Sequence, residues 1–318
     1  VAVLLEEAPA LLILDLDAAA STSAFRGVDF RKPVLRHFLA RDGGRPDAPD
    51  EYPVFDGPYS ATCYLDETLR VVEALARRLD CTVHEVLDRT GLAVFHRPYR
   101  KMPRDALALV RLRALVGPGG PADRRDALCH AAGVAPDAVR TELAAGPVPG
   151  CSGDAAWPNV AAAWRALRLD PTFLVEAEAR LGWGEALLAE CGNLYAASIL
   201  AWLAAGLEEA AEAGPDLAGT NVLAVGYGSG DAADASILRV ADRWRDAARH
   251  TRFTSALAGA IALDREAYEA VHDGRPVAGL PDLTSDGFGV DRAGWNRGPR
   301  GDAGVEHYTY RPGPATDR

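Results

Sequence analysis

The sequence predicts a layered α/β fold, and three observations carry that reading. Segments with apolar side chains at helical spacing alternate with short, continuous apolar runs. Two of those runs end abruptly in polar turns: Thr90–Phe95 enters His96-Arg97-Pro98, and Asn221–Val225 enters Gly226-Tyr227-Gly228-Ser229-Gly230. No segment repeats at a period of 20–50 residues, which sets solenoids and propellers aside.

Taken in order, Val1–Leu5 and Ala10–Leu16 read as adjacent strands joined through Glu6-Glu7-Ala8-Pro9. Val1 already stands in a strand pattern, so the chain reads as starting inside a folded unit. Residues 41–58 are rich in Gly, Pro and Asp and read as a loop. Tyr64–Leu79 places Leu65, Leu69, Val72, Ala76 and Leu79 on one helical face. Val83–Leu87 reads as a short helix or turn, Thr90–Phe95 as a strand and Arg104–Leu115 as a helix. Residues 117–160 show little pattern beyond a short helix at Pro121–Ala132 and read as an insertion. Phe173–Glu190 is helical with a break at Gly182 and Gly184, and Ala196–Ala213 is an apolar helix stopped by Gly214-Pro215. Asn221–Val225 reads as a buried strand, Ala232–Ala248 as a helix, and the tail from Arg275 as irregular.

The 318 residues suffice for one large domain or two ordinary ones, and 48% hydrophobic with 25% charged residues is a soluble, globular composition. A net charge of −11 argues against nucleic acid as the main partner, because phosphate binding needs a basic footprint. It leaves room for a small anionic ligand held by a local cluster of cations. The five cysteines are scattered, odd in number and without CxxC spacing, so neither a disulfide framework nor a metal site is expected. That usage fits a reducing cytoplasm. No apolar run is long enough to predict a membrane span.

His96 is the first candidate for chemistry. An apolar strand delivers one imidazole into a basic loop containing Arg97, Arg100 and Lys101. Those cations would depress the imidazole pKa, and at a buried strand end they suit a phosphorylated ligand. A satisfied core histidine and a solvated basic face are the plainer alternatives. Asn193, in Gly192-Asn193-Leu194-Tyr195, reads either as a helix cap or as an amide donor to a carbonyl oxygen. Gly228-Ser229-Gly230 is either a plain turn or a place where backbone N–H groups approach a substrate.

These blocks occur in a telling order. Asp29-Phe30-Arg31-Lys32-Pro33 is followed by Glu51-Tyr52-Pro53-Val54-Phe55-Asp56-Gly57, Ser60 and Cys63-Tyr64-Leu65. Phe95–Met102, Gly192–Tyr195, Leu217-Ala218-Gly219 and Tyr227–Gly230 come next. The ordered set, over roughly residues 1–235, resembles hydroxymethylglutaryl-CoA (HMG-CoA) synthase. Residues 117–185 and the tail match that pattern poorly.

The resemblance implies a thiolase-like αβαβα sandwich. Here it would be incomplete, with residues 1–25 as the last strands of the first half and 26–318 as the second half, interrupted by an insertion at about 117–185. It implies condensation of acetyl-CoA with acetoacetyl-CoA in a cytoplasmic homodimer, on the mevalonate route to isoprenoids. No cofactor is needed beyond the CoA thioesters themselves. His96, Asn193 and Asp29 would be the catalytic residues, with Ser229, Gly228, Tyr195, Lys101, Arg97 and Arg100 on the substrate side. The family's nucleophilic cysteine and catalytic glutamate belong to the first half, so no nucleophile is expected here. Cys191 does not stand where that cysteine should, and Cys63 reads as a packing residue. Val28 also departs from the aromatic residue that usually precedes the aspartate. A non-catalytic acyl-CoA-binding homologue and a polyketide β-branching synthase acting on carrier-bound acyl groups are the alternatives.

Overall fold

A computed structural model describes residues 3–26, 30–31, 54–55, 57–229, 231–273, 275–280, 287–293 and 306–311. The chain divides into two compact units, 1–32 with 52–258, and 33–51 with 259–318. The expected α/β architecture is present. In the first unit, strands β1 (Leu12–Ser23), β4 (Leu92–Phe95), β5 (Asn221–Gly228) and β6 (Ala232–Val240) form one sheet in the order β1-β6-β5-β4. β4 runs parallel to β5, whereas β5 and β1 both run antiparallel to β6. A separate two-residue pair joins β2 (Phe30–Arg31) to β3 (Val54–Phe55).

The helices of this unit follow from apolar spacing and capping. α1 (Gly57–Arg78) buries Tyr64, Thr68, Val71, Val72 and Leu75. α2 (Val83–Arg89) opens on a capping box in which Thr82 Oγ1 accepts from Glu85 N (3.2 Å) and Glu85 Oε2 from Thr82 N (2.7 Å). α3 (Met102–Val116) is buried along nearly its whole length, as a central core helix must be. α4 (Ala122–Ala132), α5 (Pro136–Ala145), α6 (Pro158–Leu169) and α7 (Pro171–Leu181) contribute Cys129, Val139, Val160, Leu167 and Phe173 to the same core. α8 (Glu185–Ala189) and α9 (Ser198–Ala213) follow, and short helices α10 (Trp244–Arg249) and α11 (Phe253–Leu257) close the unit. In the second unit, α12 (Arg265–His272) is capped by Asp264, whose Oδ1 accepts from Ala267 N at 2.8 Å. Strands β7 (Gly287–Ala293) and β8 (Glu306–Arg311) pair antiparallel there.

Several sequence expectations are corrected. Residues 3–6 form no strand, and Val3, Leu4 and Leu5 are exposed. Of the loop expected over 41–58, residues 41–53 lie outside the described residues, while Gly57 and Pro58 already open α1. The weakly patterned stretch 117–160 is largely helical and packed. Its helices are short, and Gly and Pro at their ends disguise the spacing. Residues 232–240 are a strand rather than the start of a helix. Asp231, Ala233 and Ala235 are buried while Ala232 and Asp234 are exposed, a period of two. Two ladders of backbone hydrogen bonds, to β5 and β1, outweigh alanine's helix preference of a few tenths of a kcal/mol per residue. In the tail, Tyr308-Thr309-Tyr310 pairs with Phe288-Gly289-Val290, so strand-forming residues prevail over the glycine content.

One close approach is built on glycine. Gly184 adopts φ +78°, and a Cβ there would lie 2.5 Å from Gly206 N and 2.8 Å from Gly206 Cα on α9. Both neighbours are backbone and cannot yield. Gly184→Ala is therefore expected to cost about 2–4 kcal/mol, combining left-handed strain with overpacking. Gly119→Ala, also at positive φ but with its nearest neighbour 3.4 Å away, carries the strain alone, about 1–2 kcal/mol. Denaturant midpoints of the two variants measure the difference, and equal losses would contradict the packing argument.

Candidate functional site

β4 ends at Phe95, and the ladder runs one step further: His96 N donates to Val225 O at 2.8 Å. His96 thus stands at the carboxyl end of a parallel strand pair, where α/β sheets open onto ligands. Tyr64 Oη, from α1, donates to His96 O at 3.0 Å. The Tyr227 ring lies 6.2 Å from the imidazole, and Tyr64 meets Tyr227 edge-on at 5.3 Å. Ser198 Oγ, at the first residue of α9, lies 3.2 Å from His96 Nδ1.

This contact couples the serine hydroxyl to the choice of ring nitrogen that carries the proton. Arg97 N–H donates to Ser198 Oγ (3.4 Å), so the serine oxygen is already accepting. The hydroxyl keeps a second lone pair as well as its own hydrogen; where that hydrogen points at Nδ1, Nδ1 accepts and the proton stands on Nε2. His96 is half-buried, and burial depresses its pKa. The sequence attributed that shift to neighbouring cations. Desolvation is the cause instead.

The basic cluster separates into three different roles. Arg97 is buried, stacked over Trp202 with its Cζ 5.7 Å from the ring. Burial lowers its pKa, with Glu185 working in the opposite sense. Arg100 is exposed and paired with Glu185 at 3.0 Å. Lys101 is exposed at the start of α3, where its carbonyl accepts from Asp105 N at 3.0 Å.

Asn193 is exposed, and its Oδ1 accepts from Tyr195 N at 2.9 Å. The oxygen serves the turn, which leaves the amide N–H groups as donors. Tyr195 is largely exposed and has φ +49°. Gly228 ends β5, and Ser229 is an exposed turn residue beside it, in the hairpin to β6. No hydrogen bond joins His96 to Asn193 or Ser229 among the described residues. Asp29 lies outside those residues. Cys63 is fully buried, whereas Cys191 has its thiol pKa raised by burial and its Sγ 3.7 Å from Leu187 O. Among the described residues no cluster of His, Cys, Asp and Glu could hold a metal, and no helix is long and apolar enough to cross a membrane.

Sequence reasoning missed Ser198, Tyr64 and Tyr227 as neighbours of His96. Tyr64 and Tyr227 sit inside quoted blocks, so for them the available signal was that the blocks share one place in space; Ser198 lies in the helix that follows the Asn193 block.

The geometry and the fold define a thiolase-like architecture of the kind found in HMG synthases. Residues 36–115 match the signature of the hydroxymethylglutaryl-coenzyme A synthase C-terminal region. Among solved structures, MvaS in complex with 3-hydroxy-3-methylglutaryl coenzyme A is similar, with 21% identity, a TM-score of 0.60 and 95% of this chain covered. PksG, an HMG-CoA synthase from Bacillus subtilis, is 12% identical with a TM-score of 0.59 over 96% of this chain. The curacin-pathway HMG synthase in complex with acetyl donor-ACP is 14% identical with a TM-score of 0.54 over 95%. The chain spans 59%, 59% and 58% of those three proteins' own lengths. No curated protein sequence matches the chain. The resemblance to the HMG-CoA synthase family is thus borne out by a sequence signature over 36–115 and by the fold.

The imidazole makes two predictions. Its folded pKa lies below the ordinary value of about 6.5, so the unfolded chain binds its proton first as pH falls. The associated stability is complete above about pH 6.5 and is lost as pH drops through the folded value. An NMR titration should place the His96 midpoint below 6.5, with little movement on adding salt. A strong salt dependence would restore the cations as the cause. With the serine hydrogen on Nδ1, ¹⁵N spectra should show an Nε2-protonated ring in the wild-type chain, a tautomer mixture in Ser198→Ala and the Nε2-protonated ring again in Ser198→Thr. An unchanged ¹⁵N pattern in Ser198→Ala would remove the serine from that role.

Proposed function

We propose that this chain is the C-terminal portion of an HMG-CoA synthase and supplies the acceptor side of its condensation. The observation that carries the reading is the imidazole at the carboxyl end of the β4–β5 pair, with Nδ1 3.2 Å from Ser198 Oγ; a serine hydrogen given to Nδ1 would leave Nε2–H as a donor. A first half of the fold would contribute the cysteine that takes the acetyl group and the glutamate that removes a proton from its methyl carbon. The resulting carbanion attacks the ketone of acetoacetyl-CoA, a carbon–carbon bond forms, and the ketone oxygen becomes an alkoxide. His96 Nε2–H and the Asn193 amide would stabilise that charge as donors, and a proton completes the tertiary alcohol. Water then cleaves the enzyme thioester, releasing HMG-CoA and the free cysteine.

Asp29 would order the site, and Gly228, Ser229 and Tyr195 would line it. Lys101, with Arg100, would meet the CoA phosphates, while Arg97 acts from within the fold. The working protein would be a cytoplasmic homodimer serving the mevalonate route to isoprenoids. No metal or organic cofactor enters this chemistry. Carrier-bound substrates are the second reading, because Arg97 is buried and Arg100 is ion-paired. That leaves Lys101 as the freest cation of the cluster, a better match to the single phosphate of phosphopantetheine than to CoA.

The test is reconstitution with a first half supplied in trans or by fusion, assayed with acetyl-CoA and acetoacetyl-CoA and then with carrier-linked acyl groups. His96→Ala should retain the fold and lose turnover by about 10²–10³-fold, the scale of removing one donor from a developing oxyanion. Near-normal turnover would remove His96 from the mechanism. Activity confined to carrier-linked substrates would select the second reading.

A further inference from the structure

A buried ionic group lies one residue contact away from Tyr227, the aromatic neighbour of His96. Arg26 Nη2 donates to Asp66 and, at 2.9 Å, to Glu67 Oε2, while Arg26 Nε lies 3.9 Å from Asp231 Oδ2. The side chains of Asp66, Glu67 and Asp231 are 6%, 0% and 1% exposed, which places three carboxylates around one guanidinium out of water. Arg70, half-exposed, approaches Glu67 at 3.9 Å. Burial works against the Arg26 charge, yet its bonds to Asp66 and Glu67 hold the guanidinium firmly protonated.

The group reaches the site through Asp231. Asp231 Oδ1 accepts the hydroxyl hydrogen of Tyr227, whose ring stands beside His96. The Asp231 backbone also clamps the chain after β1, with Ala24 N donating to Asp231 O at 2.9 Å. Arg26 follows two residues later and lies three residues before Asp29 in the sequence. Asp231 likewise stands two residues after Ser229. The turn itself is not sterically defined, since a Cβ on Gly228 would meet nothing within 4 Å.

We propose that Arg26 and Asp231 are positioning residues, a buried ionic latch that holds the Tyr227 ring against His96 and ties the β5–β6 hairpin beside Ser229 to the chain after β1. For its link to catalysis this rests on the reading of His96 as the residue that holds the acceptor. The latch acts through Tyr227 and touches no substrate. Its arrangement is specific: the guanidinium must face α1 and the β5–β6 hairpin together to pair all three carboxylates.

Tyr227→Phe tests the link most simply, because it removes only the hydroxyl and keeps the ring. Asp231→Asn removes the charge but keeps an oxygen able to accept from Tyr227, and Asp231→Leu removes both. NMR of the chain itself reads the His96 ring-proton resonances, which sense the Tyr227 ring current and need no substrate. Tyr227→Phe and Asp231→Leu should shift those resonances, and Asp231→Asn should shift them less. In a reconstituted synthase the same two variants should lower kcat by up to about 10²-fold with KM changed less, the scale of a small misplacement. Unmoved His96 resonances in folded Tyr227→Phe would overturn the latch, whatever happens to the Asp231 variants. If the resonances move but the reconstituted synthase turns over neither acetyl-CoA with acetoacetyl-CoA nor carrier-linked acyl groups, the latch stands and the functional reading falls.

Discussion

The site depends on one backbone hydrogen bond, from His96 N to Val225 O. It extends the parallel β4–β5 ladder by a residue beyond the strand and so sets which face of the sheet receives the imidazole. A slip of one residue in that register would carry the ring to the opposite face and Phe95 out of the core. The apolar run Ala93-Val94-Phe95, buried on both sides, makes that slip expensive, since Phe95 alone contributes about 1.5–3 kcal/mol through burial. The short strand is therefore a rigid lever for a single side chain. Ser198 and Tyr227 reach that side chain from α9 and β5, and Tyr64 of α1 holds the His96 carbonyl, so three elements of the core must be in place before the imidazole is.

The His96 segment was legible in sequence because two periodicities meet there. A continuous apolar run stops at a polar residue followed by a proline, and that contrast survives without knowledge of the fold. The Ala232–Val240 segment was illegible for the opposite reason. Alanine favours a helix locally, and only the two neighbouring strands decide otherwise. Within 117–160 the punctuation misled: Pro136 and Pro158 occupy first-turn positions that tolerate proline, yet they read as breaks in a linear scan. The Ser198–His96 contact joins residues 102 apart in sequence, and neither carries a local mark of the other.

The basic run after His96 shows why charge in a sequence underdetermines charge at a site. Arg97, Arg100 and Lys101 look equivalent on paper. In space one guanidinium is buried against Trp202, one is paired with Glu185, and one ammonium faces water. Only the last is free of the cost of breaking an existing partnership before it meets a phosphate. The imidazole pKa follows the same rule. Its shift tracks the removal of water rather than the number of nearby cations.

A buried charge cluster beside a glycine-flanked turn then has a physical reason. Gly228 gives the backbone freedom to approach a ligand but offers no side chain to hold the turn in place. An apolar anchor could fill the space behind it in several orientations at similar cost. A guanidinium among three carboxylates admits few, because each unpaired charge out of water is heavily penalised. Net stability is a poor account of such a cluster, since apolar side chains of the same volume would serve as well or better. Its effect is selection among nearby conformations. Asp231 transmits that selection in two directions at once, through its backbone to Ala24 and through its carboxylate to Tyr227. The hairpin end and the constrained imidazole are thus parts of one arrangement, tied together by Asp231.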